Sequence, residues 1–196
     1  PILRAQWQAG RRIVCSENAF TANPVKLDLL AGKTVAKGPL ANKSLAGGSF
    51  VSLDLSFGGK RIAFGWSPGG GKALEHQNRF SIFVCDITGD NLVQLTGDIN
   101  ADDIHPCWLP DDERIVFMST RRGGFGRCHG IPMPICVLYS MKSDGSDLYC
   151  IDWHETNEWH PSVANDGMIV YTRWDYVDRD AVITHHFWKC WPDGRD

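Results

Sequence analysis

The apolar triplet Ile115-Val116-Phe117 returns as Ile169-Val170-Tyr171 and is preceded by a weaker copy, Ile62-Ala63-Phe64. Their first residues lie 53 and 54 positions apart. Each triplet belongs to a longer copy, running from Ser52 to Gly65, from His105 to Arg122 and from His160 to Arg173. A repeat of about 50 residues, made of short apolar runs and turns without helical spacing, predicts stacked antiparallel blades of four strands. The fold class expected is therefore all-β, a partial β-propeller. At this period the 196 residues fill about three to four blades, whereas propeller rings take about four to eight. The chain reads as a piece of a larger propeller, with blades over 49–98, 99–153 and 154–196.

Residues 1–48 are the least regular part, a degenerate first blade or a connecting segment. In them Arg12-Ile13-Val14, 49 positions before the triplet at Ile62, reads as a degenerate triplet. From Phe50 onward Val51, Leu53 and Leu55 alternate with Ser52, Asp54 and Ser56, the period of a half-buried strand. Cys85, Met141 and Cys190 each stand four residues before a turn glycine, Gly89, Gly145 and Gly194. A place that accepts Cys, Met and Cys is a packing position, so Cys85 and Cys190 are expected in the core.

The repeat is similar to the TolB-type propeller repeat. Its features here are His105-Pro106 with Pro110-Asp111-Asp112, and His160-Pro161 with Asn165-Asp166-Gly167, each followed by an apolar triplet, then Ser or Thr with a basic residue. Asp112-Glu113 and Phe57-Gly58-Gly59 depart from the expected turn. The segments Ser119 to Gly130 and His154 to Asp180 more narrowly resemble the propeller of the hydrazine synthase alpha subunit and its bacterial relatives. That resemblance implies a haem-bearing oxidoreductase subunit and a periplasmic or secreted location. Cys128-His129 keeps the last pair of a CxxCH haem attachment, while Phe125 stands where its first Cys would be.

His105 and His160 hold one place in successive repeats, at the start of the strand that lines a propeller's channel, so their side chains should converge. With Cys107 and His154 nearby they make a candidate divalent-metal site, zinc being the expected ion. Cys128 and His129 are candidate zinc or haem-edge ligands. The bland alternative is that the His-Pro pairs fix hydrogen bonds between blades. Arg121, Arg122 and Arg127 suit a carboxylate or phosphate, or tie down their own loop. Trp174 and Asp175 suit a sugar or cation, or form a salt-bridged cap.

A formal net charge of −3 gives no electrostatic footprint for nucleic acid. No apolar run approaches the roughly 18 residues of a membrane span. The function expected is a non-catalytic propeller scaffold or binding module for a protein partner, a small ligand or the remaining blades of its own chain. The alternative is a subunit of a hydrazine-synthase-like haem or metal oxidoreductase.

Overall fold

The computed structural model describes residues 10–69, 78–126, 134–175 and 185–195. Among these every regular element is a β-strand, and no helix is long and apolar enough to cross a membrane. β1 (Val14–Glu17) and β2 (Val25–Asp28) form a two-stranded sheet. Blade 1 follows as β3 (Ser49–Leu55), β4 (Arg61–Ser67), β5 (Ser81–Asp86) and β6 (Val93–Gln94). Blade 2 consists of β7 (Asp103–Trp108), β8 (Arg114–Ser119), β9 (Val137–Lys142) and β10 (Tyr149–Cys150). Blade 3 contains β11 (Glu158–Val163), β12 (Ile169–Trp174) and β13 (His185–Cys190). Consecutive strands pair antiparallel within each sheet, as a blade requires.

The triplets occupy β4, β8 and β12, the second strand of each blade, which has a paired neighbour on either side. Because side chains alternate across a sheet, one triplet serves two cores. Ile62 and Phe64 pack with Leu30, Val35 and Leu45 on one face of blade 1, while Ala63 faces Trp108, Ile115 and Phe117 of blade 2. Val116 and Met118 then meet Ile169, Tyr171 and Cys190 of blade 3. The place shared by Cys85, Met141 and Cys190 is buried in all three blades, opposite Ile62, Ile115 and Ile169 respectively.

Neighbouring blades also meet through their backbones. The hairpin glycines Gly89, Gly145 and Gly194 have φ of 79°, 87° and 87°. A Cβ at these positions would lie 2.1, 3.0 and 2.6 Å from the carbonyl oxygens of Leu29, Leu95 and Ile151. The same three residues donate their N–H groups to the carbonyls of Ile13, Ile82 and Leu138 at 3.0, 2.8 and 2.9 Å. Ile13 therefore corresponds to Ile82 and Leu138 on the third strand of a blade. Arg12-Ile13-Val14 is thus no second-strand triplet, and the 49-residue interval that suggested one spans a longer connection.

The alternation read in β3 also needs correction. Val51 is buried, but Leu53 and Leu55 are each 50% exposed, because a bulge at Ser52 breaks the register between Val51 and Leu53.

Two glycines separate the steric role of the seam from backbone preference. Gly167 has φ 83° with nothing near its missing Cβ, whereas Gly89 has φ 79° and the Leu29 oxygen at 2.1 Å. Gly167→Ala should cost about 1 kcal/mol, the lower end of left-handed strain, and Gly89→Ala several times more. Urea midpoints measure both, and equal losses would show that the seam contact contributes nothing.

Candidate ligand site on the first strands

The first strand of every blade is bulged at the same place. Ser52, His105 and His160 have φ of 49°, 53° and 55°, and the registers of β3, β7 and β11 skip at these positions. Such backbone costs about 1–3 kcal/mol per residue other than glycine. Pro106 and Pro161 follow directly, within the skipped register, where a missing N–H removes no ladder bond.

The three bulges bring their side chains together across the blades. Ser52 Oγ and His105 Nδ1 form a hydrogen bond at 2.6 Å. The His105 and His160 rings meet edge to face with centroids 4.4 Å apart. With Arg11, Asp54 and Cys107 they line a cavity of about 410 Å³.

Burial disfavours charge on the histidines and the cysteine of this wall. The His105 imidazole is pushed down to about 4, chiefly by burial and then by the neighbouring His160. Burial lowers His160 as well. Both rings are neutral near pH 7, the form in which an imidazole carries one donor and one acceptor nitrogen. The Cys107 thiol is pushed up to about 12, first by burial and then by Asp54, so it presents no thiolate. Asp54 is raised by burial and accepts the Trp108 N–H at 2.6 Å.

The structure divides the predicted ligand set. His105, Cys107 and His160 share the cavity, whereas His154 belongs to the turn before β11. There its Nδ1 contacts Thr156 Oγ1 at 2.9 Å and its Nε2 lies 3.7 Å from Asp175. Among the described residues no three His, Cys, Asp or Glu side chains are grouped to hold a metal ion. Arg127, Cys128 and His129 lie outside the described residues, and so does most of the hydrazine-synthase-like segment after Asp175.

The remaining candidates are engaged within the chain. Arg121 pairs with Asp98 at 2.9 Å and Asp103 at 2.6 Å. Arg122 donates weakly to the Gly123 carbonyl. Trp174 is 2% exposed. Asp175 accepts from Arg173 Nε at 3.0 Å and from Trp188 Nε1 at 2.8 Å, a salt-bridged cap with the Arg173 guanidinium stacked 3.5 Å above the Trp188 ring. Ser52, Asp54 and Arg11 are the site residues that sequence reasoning missed. Ser52 lies 53 positions before His105 and so was marked by the repeat, but a serine there carries no chemical flag.

Just before the bulges the strands are anchored by buried acids and an amide. Asp102 accepts the Phe80 N–H at 2.9 Å, and Asn157 takes the equivalent Cys136 N–H at 2.7 Å. In blade 2 Asp103 is bonded by Ser119 and Arg121. In blade 3 Glu158 takes its place and accepts the Leu138 N–H at 3.0 Å, but Arg173 and Asp175 stand where Ser119 and Arg121 were. Glu158 Oε1 is buried with no donor to meet it, but the Asp152 carboxylate is within hydrogen-bonding reach of the protonated acid.

Comparison with known proteins turns on this blade architecture. No protein-family model and no curated protein matches the chain. Among solved structures, a putative TolB from Agrobacterium tumefaciens superposes with a TM-score of 0.53 at 18% identity, over 93% of this chain and 58% of that one. The chain has a TolB-like propeller fold. An oligogalacturonate lyase in complex with manganese has a TM-score of 0.56 at 12% identity, over 94% of this chain and 46% of that one. For a tricorn protease the values are 0.51, 12%, 92% and 20%. The propeller described here thus spans between a fifth and three fifths of the length of these structures.

Glu158 makes the propeller's stability depend on pH. Its carboxyl is raised from 4.5 to about 9, chiefly by burial and then by nearby Asp152. Between those values the folded chain retains a proton that the unfolded chain has released. This contribution to stability is therefore complete below about pH 4.5 and declines as pH rises toward about 9. Glu158→Gln, which keeps an acceptor for Leu138, should flatten the decline in urea unfolding followed across that range. An unchanged slope would assign the effect to another group.

Proposed function

We propose that this chain is a propeller binding module whose ligand seat is the bulged part of β3, β7 and β11, and that it takes a small polar ligand there. One observation carries the reading: Ser52, His105 and His160, equivalent residues of three blades, hold left-handed backbone and join side chains along the wall of one cavity. Non-glycine residues in such backbone cluster at binding and catalytic sites. Neutral imidazoles and a hydroxyl exchange hydrogen bonds with a ligand without the desolvation cost of a charged group.

A second reading has its own support. Neutral imidazole is the form that binds a transition metal, and the two rings already touch. In this reading His105 and His160 supply two ligands to a divalent ion such as zinc, and the bound molecule completes its shell. The manganese-bearing oligogalacturonate lyase shares the fold alone with this chain, at 12% identity, and lends the idea no residue-level support.

Native mass spectrometry of the gently purified chain, with elemental analysis of the same sample, separates the readings. An organic mass excess supports the first reading and near-stoichiometric zinc the second. Either should disappear from the His105→Ala/His160→Ala variant, whose circular dichroism should keep its sheet signal. Folded wild-type protein with the bare chain mass would overturn both.

A further inference from the structure

The two-stranded sheet at the start of the chain is half of a blade. Leu29 follows β2 as Leu95 follows β6 and Ile151 follows β10, and all three donate to the equivalent residue of the strand alongside. Gly89 of blade 1 closes on the Leu29 carbonyl as Gly145 and Gly194 close on Leu95 and Ile151. β1 and β2 thus hold the third and fourth places of a blade, joined to blade 1 by the seam that joins blades 1, 2 and 3. Among the described residues β1 has a paired strand only on its β2 side.

The free edge has defined chemistry. The Ile13 carbonyl turns toward β2, where it accepts from Leu29. By strand alternation the backbone groups of Val14 and Ser16 turn the other way. On that side a trough of about 280 Å³ runs between the sheet and blade 1, lined by Ile13, Val14, Phe50, Val51, Leu53 and Phe64. The 50% exposure of Leu53 on β3, at odds with its apolar character, adds to this trough, which it lines.

We infer that the free edge of β1 is a docking edge for an antiparallel β-hairpin of the propeller-repeat kind, which supplies the first and second strands of this half-blade. Registers elsewhere in the molecule define the partner. Phe64 faces Phe83 and Phe117 faces Tyr139, so an aromatic residue belongs opposite Val14. Ala63 faces Val84 and Val116 faces Ser140, so a small apolar residue belongs opposite Cys15. Arg61 faces Asp86, so a basic residue belongs opposite Glu17, with matching charge. A second copy of the chain is a poor donor, because the first and second strands of its blades are already paired. The solved structures in which this chain spans 58% and 46% of the length carry further chain. This inference is independent of the ligand seat proposed above.

The probe is a fluorescein-labelled synthetic peptide copying residues 103–119, the first two strands of blade 2, titrated with the full chain under reducing conditions. Fluorescence anisotropy should show saturable one-to-one binding, and hydrogen exchange should slow at Val14 and Ser16. A peptide carrying Ile115→Pro, which removes the N–H that would face Ser16 on β1, should bind at least about tenfold more weakly. Four results would each overturn the inference: absence of saturation, equal binding of the proline peptide, protection confined to other strands, or self-association of the chain through β1 in sedimentation without peptide.

Discussion

Left-handed backbone at Ser52, His105 and His160 is the constraint around which the rest of the molecule is arranged. Each instance costs about 1–3 kcal/mol, so it persists only where the surroundings leave no alternative. Contacts on both sides of the bulges supply that pressure. Before the bulge, Asp102 and Asn157 hold N–H groups at the head of the preceding blade's third strand. After it, the backbone of Trp108 is held by Asp54 of the blade before. In blade 2 the first strand, fixed on both sides of His105 to its neighbour, absorbs its extra residue between the two contacts. The side chain at that point is turned toward the next blade.

The blades were legible in the sequence because the triplet strand is buried on both faces, which forces a compact apolar signature at a constant period. Cys85, Met141 and Cys190 were legible for the same reason: each faces the first residue of a triplet, a place that tolerates any soft apolar side chain. The half-blade at Val14 and Val25 was not. It contains only third and fourth strands, which carry no triplet, and the chain between Leu29 and Ser49 supplies Leu30, Val35 and Leu45 to the core of blade 1. That insertion displaces Ile13 from the period, so the residue that fell nearest to it belonged to a different strand.

The site was legible to the extent that the repeat itself encodes it. His105 and His160 share a repeat position, and equivalent residues of successive blades meet wherever the first strands converge. Ser52 shares that position too, but it became a site residue only when its 2.6 Å contact with His105 was in view. Proximity in sequence was a poorer guide. His154 lies six residues before His160, yet it sits in a turn and is committed to Thr156 and Asp175. Arg121 reads as an open cation, but its carboxylates come from Asp98 and Asp103 on the approach to β7, an arrangement that loop composition alone does not reveal.

Blades 2 and 3 show how one packing scheme carries different electrostatics. Both bury an acid at the head of the first strand, and in blade 2 a guanidinium and a hydroxyl meet it. In blade 3 Asp175 stands in the place of Arg121, and Arg173, in the place of Ser119, turns to the Asp175 and Trp188 cap, so Glu158 accepts the Leu138 N–H while its Oε1 meets no donor. Burial and the neighbouring Asp152 carboxylate favour the neutral acid here, consistent with its rise to about 9. Two residues further along each strand stands an imidazole held neutral by the same dry surroundings. Burial thus favours the uncharged forms of Glu158, His105 and His160, while Asp102 and Asp103 beside them keep guanidinium partners in Arg79 and Arg121.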